Sequence, residues 1–242
     1  YCAIVPPWGP TRGGGGGRVF VPAPDPALVD RCLDRLGIEQ VPLLVLTHFH
    51  ADHVDGLPGV LDGRRVGSVL VSPLREPPEQ VDMVAAATHG MEVTEAVPGQ
   101  TGQWGPVSWR VLWPSGLITG EGSDANNASV VLLVEVSGVR LLLTGDVEPT
   151  AQQAMLANGT VPRADVLKVP HHGSRFQDEG FISAVGARVA VISVGEGNPY
   201  GHPSPELVES LSDTGMIVAR TDTDGSVAVV VDGDDLRVVT LD

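Results

Sequence analysis

The sequence predicts an α/β domain in which sheets are covered by helices. Three observations carry this. Short apolar runs of β character and helices intermix from residue 25 to the end of the chain. Two helices, at 25–37 and 204–215, are bracketed by strong start and stop signals. Three apolar strands end directly at polar clusters: Leu46 before His48, Leu143 before Asp146 and Val169 before His171. Loops at strand ends, held on a buried sheet, are where sites are commonly built.

Taken in order, residues 1–24 include "PPWGPTRGGGGG" (6–17), which reads as a flexible loop or linker. Ordinary globular sequence begins at Asp25. In "DPALVDRCLDRLG" (25–37) Asp25 can cap a helix, Pro26 fits its first position and Gly37 closes it, with Leu28, Cys32, Leu33 and Leu36 as the apolar stripe. "VPLLVL" (41–46) is a buried strand that stops at the first His cluster, and "VGSVLVS" (66–72) and "VSWRVLW" (107–113) are further strands. His89 in "AAATHGMEV" sits at a helix end before Gly90.

"SVVLLVEVSGVRLLLTGD" (129–146) reads as two strands joined at Ser137-Gly138. "EPTAQQAMLANG" (148–159) is a helix, "ADVLKVP" (164–170) a strand stopping at His171, and "ARVAVISV" (187–194) a strand. "SPELVESLSDTG" (204–215) is a helix with Ser204 as cap, Pro205 first and Gly215 at its end. The tail, "MIVARTD" and "GSVAVVVDGDDLRVVTL", adds strands with an Asp-Gly turn at 232–233. No repeat of fixed period is present.

A length of 242 residues suits one large domain or two small ones, and the reading is a single domain over 1–242 with an atypical segment at 1–24. The chain starts at Tyr1 and reads as part of something longer. It contains no run of ~18 uninterrupted apolar residues of the kind that spans a bilayer. The formal net charge is −15, and Lys168 is the single Lys among 15 Lys and Arg. That argues against a broad electrostatic grip on nucleic acid, although bound cations can reverse the sign locally. Cys2 and Cys32 lack metal-type spacing; they can form one disulfide but no disulfide scaffold.

The chemistry concentrates in "LTHFHADHVDG" (46–56), where His48, His50, Asp52 and His53 offer four metal donors within six residues. Imidazole suits zinc, manganese, iron and nickel, and carboxylate favours harder ions. In a loop leaving a strand, such donors can serve two neighbouring ions, which together clamp an attacking water and a leaving oxygen. The bland alternative is a solvated loop rich in His and Asp.

HxHxDH is the signature of the metallo-β-lactamase fold. "LTGD" (143–146), "LKVPHHGS" (167–174) and "VGEGNPYGHPSPE" (194–206) resemble, in that order, the carboxy-terminal domain of the ComEC family of DNA-uptake channels, over about residues 25–231. The resemblance implies an αββα four-layer sandwich holding two divalent ions, zinc or manganese. It implies His48 and His50 as ligands of the first metal, and Asp52 and His53 as ligands of the second. Asp146 matches the bridging carboxylate and His202 the late His ligand. His171 is the candidate general acid, a role natural to imidazole near neutral pH, while His172 either shares the site or braces the loop. Gly173 and Ser174 would let backbone or hydroxyl approach a phosphate. Lys168 faces the sheet edge or meets a phosphate.

Two departures from the family pattern stand out. The DVGQGD-type opening and the Asp-x-Gly before the first helix are missing; "VPAPDP" (21–26) stands in the latter's place. Where the general fold has a further His between HxHxDH and the bridging Asp, "SDANNASVVL" (123–132) offers Asn126 and Asn127. Asn is a poor substitute for a zinc imidazole, so an asymmetric pair with a weaker first site and a harder ion such as manganese is expected.

The function implied is a metal-dependent phosphodiesterase with DNA as substrate. It would work beside the membrane-embedded channel domain of a parent protein, on the extracytoplasmic face of the membrane. Two alternatives stay open: a non-catalytic accessory domain of the uptake channel, and a carbonyl-ester or lactam hydrolase of the same fold.

Overall fold

The computed structural model describes residues 3–5, 19–21, 24–232 and 235–241. Strands β1 (Ala3–Val5) and β2 (Val19–Val21) precede helix α1 (Pro26–Arg35), β3 (Gln40–Leu46), the short helices α2 (Ala51–Val54) and α3 (Leu57–Leu61), β4 (Arg65–Val71), α4 (Pro78–Ala87) and β5 (Glu92–Glu95). There follow β6 (Thr101–Trp104), β7 (Val107–Trp113), α5 (Asp124–Asn127), β8 (Val131–Val136), β9 (Val139–Leu143) and α6 (Pro149–Ala157). After β10 (Val166–Lys168) comes a tight helical turn, Pro170–Gly173, then α7 (Glu179–Val185), β11 (Val189–Ile192), α8 (Pro205–Asp213), β12 (Ile217–Arg220), α9 (Thr221–Asp224), β13 (Ser226–Asp232) and β14 (Asp235–Leu241).

The local signals act as expected where their chemistry is strong. Asp25 caps α1 by accepting from Ala27 N at 2.8 Å and Leu28 N at 3.3 Å, and Gly37 leaves it with φ 64°. Ser204 caps α8 through Leu207 N. Ser137 and Gly138, at φ 52° and 82°, make the two-residue hairpin between β8 and β9. The α1 stripe is rotated from its expected position: Val29 and Leu33 are buried under the sheet, Cys32 and Leu36 pack on β13, and Leu28 is exposed. The strand expected over "MIVARTD" stops at Arg220. The Thr221 hydroxyl donates to Val194 O at 2.7 Å and accepts from Val194 N at 2.8 Å, replacing the ladder. The Asp-Gly turn at 232–233 and a Cys2–Cys32 pairing involve residues outside those described.

Strands β3, β4 and β5 form a parallel sheet, and β14, β13, β1 and β2 form a second. A seven-stranded sheet runs β12-β11-β10-β9-β8-β7-β6, with β9 to β12 parallel. The period of two along each strand assigns side chains to layers. In β3, Leu43 and Val45 face the inter-sheet core while Leu44 and Leu46 face α1, α3 and α4. In β11, Val189 and Val191 point inward while Ala190 and Ile192 lie under α6, α7 and α8. The inter-sheet core also takes Leu132 and Val134 of β8, Leu141 of β9, and Val227 and Val229 of β13. The result is helix, sheet, sheet, helix, the four-layer sandwich expected from the motifs.

Candidate metal centre

Strands β9, β10 and β11 are parallel, so the loops that leave them share one edge of the sandwich. The loop after β3 meets them there, tied across the layers by Val130 N donating to Thr47 O at 2.8 Å. His50 sits at the start of α2 in extended backbone, which places Asp52 and His53 on that helix's first turn. Gly145, at φ 53°, turns the chain after β9; a Cβ there would lie 2.6 Å from Ser129 Cβ and 3.1 Å from Thr47 Cβ. Only glycine allows the Asp146 turn and the His loop to approach this closely.

Asp146 is buried and its two oxygens are divided. Oδ1 lies 3.3 Å from Lys168 Nζ, and Oδ2 lies 3.1 Å from both His53 Nε2 and His172 Nε2. His172 Nε2 also lies 3.1 Å from Asp52 Oδ2 and 3.1 Å from His53 Nε2. Asp52, His53, Asp146 and His172 thus each direct one donor atom to a common point, all within 4.8 Å of one another. Beside them, His48 Nε2 faces His50 Nδ1 at 3.1 Å. His48 Nδ1 lies 3.2 Å from both Thr47 Oγ1 and Ser129 Oγ, and Ser129 Oγ accepts from Asp146 N at 3.0 Å. One hydroxyl therefore links the His48 ring to the Asp146 turn.

The turn after β10 sets the two remaining histidines apart. His171 and His172 both adopt left-handed backbone, at φ 48° and 52°, which costs about 1–2 kcal/mol per residue. Such strain persists only where surrounding contacts impose it. Ser174 N donates to His171 O and Ser204 N to Gly173 O, each at 2.8 Å. His172 Nδ1 donates to Ser193 O at 2.6 Å; because a carbonyl only accepts, this fixes the tautomer and leaves Nε2 for the cluster. His171 turns the other way. Its Nδ1 is buried without a hydrogen-bond partner, with Glu148 Oε1 3.7 Å away and the His202 ring centroid at 5.3 Å.

A sandwich of this layout with convergent His and Asp side chains on one edge agrees with the family model described as the metallo-beta-lactamase superfamily, which the chain matches over residues 20–195. The chain belongs to this superfamily. It is 32% identical to ComE operon protein 3 of Bacillus subtilis over 194 residues, 79% of this chain and 25% of that protein. It is 30% identical to Competence protein ComA of Neisseria gonorrhoeae, across 80% of this chain and 26% of that protein. The chain thus spans about a quarter of the length of these relatives, and they bear out the ComEC-family resemblance carried by the motifs. Among solved structures, YhfI of Bacillus subtilis has a TM-score of 0.51 at 11% identity, covering 98% of both chains. CmlA, a diiron beta-hydroxylase from Streptomyces venezuelae, has a TM-score of 0.52 at 15% identity, covering 84% of this chain and 45% of that one. These two likenesses show the fold.

The donors fit the divalent ions usual in the superfamily. Two nitrogens bound tetrahedrally at ~2.0–2.1 Å lie ~3.3 Å apart, close to the 3.1 Å between the facing nitrogens of His48 and His50. The tautomer of His172 directs a lone pair at two carboxylate oxygens, an arrangement that calls for a cation. Burial opposes charging His172, but Asp146 and Asp52 outweigh it and push the imidazole up to about 10. Burial likewise opposes ionising Asp146, yet His53, His172 and Lys168 hold its carboxyl well below the usual range. Burial, then the neighbouring His53, lowers His48 and keeps it neutral, as a ligand must be. Burial lowers His171 too, partly offset by Asp146 and Glu148.

Several expected residues sit differently from the sequence reading. His202 lies outside the four-donor group and beside His171. Lys168 does not line a sheet edge: β10 is interior, and Nζ donates to Gly145 O at 2.8 Å beneath the cluster. Ser174 is buried, its oxygen accepting from Phe176 N, so its hydroxyl does not face a substrate. Asn127 is fully engaged, through Glu121 O and Glu148 N. Asn126 binds Glu148 Oε1 through Nδ2 at 2.8 Å and leaves its Oδ1 buried without a partner. His89 follows α4 and its cap Thr88, away from the cluster.

Proposed function

We propose that the chain is a divalent-metal-dependent phosphodiesterase whose substrate is DNA. The observation that carries this is the convergence of Asp52, His53, Asp146 and His172 next to the facing nitrogens of His48 and His50. His48 and His50 would hold one ion; Asp52, His53 and His172 would hold a second, with Asp146 between them. The unpaired Asn126 oxygen, three residues before Ser129, supports a hard ion such as manganese over zinc. Two bound ions supply Lewis acidity toward phosphoryl oxygens and activation of water.

The protein's own groups do the rest. Lys168 holds Asp146 by Oδ1 and leaves Oδ2 for the ions. Ser129 and Thr47 orient the His48 ring, and Ser193 orients His172. His171 stands outside the ligand cluster and is the candidate to protonate the leaving oxygen. His202 packs against it, which makes His202 a positioning residue in this reading and hands His172 the ligand role the sequence assigned to His202. The ComEC relatives support DNA as the substrate. Their greater length leaves room for the membrane-embedded channel domain with which this domain would work, on the extracytoplasmic face.

The test measures bound metal by elemental analysis and then nuclease activity on single- and double-stranded DNA with added manganese or zinc. About two ions per chain are expected, with DNA cleavage lost in Asp52→Ala and Asp146→Ala. Cleavage that survives both substitutions would sink the reading. Turnover of a lactone or thioester with DNA untouched would replace it with the carbonyl-hydrolase alternative.

A further inference from the structure

We infer that the rim of the metal centre binds single-stranded DNA by stacking its bases on Tyr200 and Phe176, with Arg175 as the local phosphate contact. This rests on the phosphodiesterase reading and names the form of its substrate. The chain has only ten aromatic residues, four Trp, two Tyr and four Phe, and among the described residues two of the three most exposed flank the loops of the candidate site. Phe176 follows His172 by four residues and is 58% exposed. Tyr200 precedes His202 by two and is 79% exposed. The Tyr200 ring stacks on His202 at 6.3 Å and 29°, and His202 in turn lies 5.3 Å from His171. A line of rings therefore leads from solvent to the candidate acid.

The backbone that carries both rings is held in place. Asn198 Oδ1 accepts from Tyr200 N at 2.9 Å and from His202 N at 3.4 Å, shaping the loop as an Asx turn. The chain around Phe176 is fixed by Gln177 Nε2, which donates to Pro170 O and Ser174 O. The Arg175 guanidinium lies over the Phe176 face at 4.7 Å, so a flat cation and a flat ring are presented together, as in grooves that grip single strands.

The charge balance favours this mode. A chain at −15, with 15 Lys and Arg against 30 Asp and Glu, is poorly suited to holding a polyanion by many phosphate contacts. Stacking is indifferent to net charge, and every base has a π face. In duplex DNA those faces are occupied by neighbouring bases, so the rim favours single strands.

The experiment uses the full chain carrying Asp146→Asn to prevent turnover, with fluorescence anisotropy of labelled dT12 and of an abasic 12-mer of the same sugar-phosphate backbone. Affinity for dT12 should fall about tenfold for each of Tyr200→Ala and Phe176→Ala. Tyr200→Trp should retain affinity. The abasic strand should bind as weakly as the double Ala variant. With one phosphate contact, log affinity should fall with log salt at a slope of about −0.7. Equal binding of dT12 and the abasic strand, or unchanged affinity in the double variant, would overturn the inference. Stacking-dependent binding by a chain that cleaves no DNA would overturn only the phosphodiesterase reading. Cleavage that ignores both aromatic substitutions would remove only this inference.

Discussion

At the scale of single residues, two adjacent histidines have different surroundings. His171 and His172 share left-handed backbone, but only His172 has its Nδ1 fixed on Ser193 O and its Nε2 turned to Asp52 and Asp146. Its imidazole is raised from 6.5 to about 10, burial being outweighed by those carboxylates. A group raised in the folded state adds stability that is full below the unfolded value of 6.5 and disappears as pH rises through 10. A divalent ion competes with that proton. Metal binding at pH 8 should therefore release about one proton per chain, and affinity should rise up to about tenfold per pH unit between pH 7 and 9. Calorimetry in buffers of different ionisation enthalpy reads the proton directly, and His172→Ala should lose both the release and the second ion. Release that is unchanged in His172→Ala would remove this residue from the ligand set.

At the scale of elements, the site depends on turns that bring backbone into close contact. Gly145 is the one that brings the Asp146 turn against the loop after β3. Gly145→Ala combines a left-handed alanine, about 1–2 kcal/mol, with overpacking against Ser129 and Thr47, about 1–3 kcal/mol. Its urea midpoint should fall and its metal content should drop. Gly138→Ala, in the β8–β9 hairpin with φ 82° and nothing within 4 Å of the added Cβ, should show the conformational part alone and keep its metal. Equal metal content in the two variants would refute the close-approach argument. The same scale explains what the sequence disclosed. The meeting of His48, His50, Asp52, His53 and Asp146 at one edge is legible because each follows an apolar strand within a few residues. Helices α1, α6 and α8 are legible from Pro at their first positions and, in α1 and α8, an Asp or Ser cap. The four-residue helices α2 and α5 are too short to show a period. The different surroundings of His171 and His172 come from side-chain contacts, Ser193 O for one and none for the Nδ1 of the other, that spacing does not encode. The burial of Lys168 was not legible because its partner, Asp146, lies in the turn after the neighbouring parallel strand, 22 residues earlier.

At the scale of the whole molecule, the candidate metal centre is a joint between layers. His48, His50, Asp52 and His53 follow β3 of the three-stranded sheet, whereas Asp146 and His172 follow β9 and β10 of the seven-stranded sheet. Without ions, the joint is held by the ion pairs of His172 and Lys168 with the Asp carboxylates and by the Ser129 hydroxyl. An ion bound to both sets crosses from one sheet to the other and binds the folded chain only, because the unfolded chain has no such site. At a free concentration 100 times its Kd it should stabilise folding by about 2.7 kcal/mol. For a chain of this size each kcal/mol raises Tm by about 2–4 °C, so chelation should lower Tm by about 5–10 °C. Asp146→Ala should shrink that difference, since it removes one of the two donors, with His172, that come from the seven-stranded sheet, while Tyr200→Ala should leave it intact because that ring stands outside the joint. A chelator that leaves Tm unchanged in a chain shown to bind two ions would mean that the ions sit on one layer alone, and the bridging place given to Asp146 would have to be abandoned.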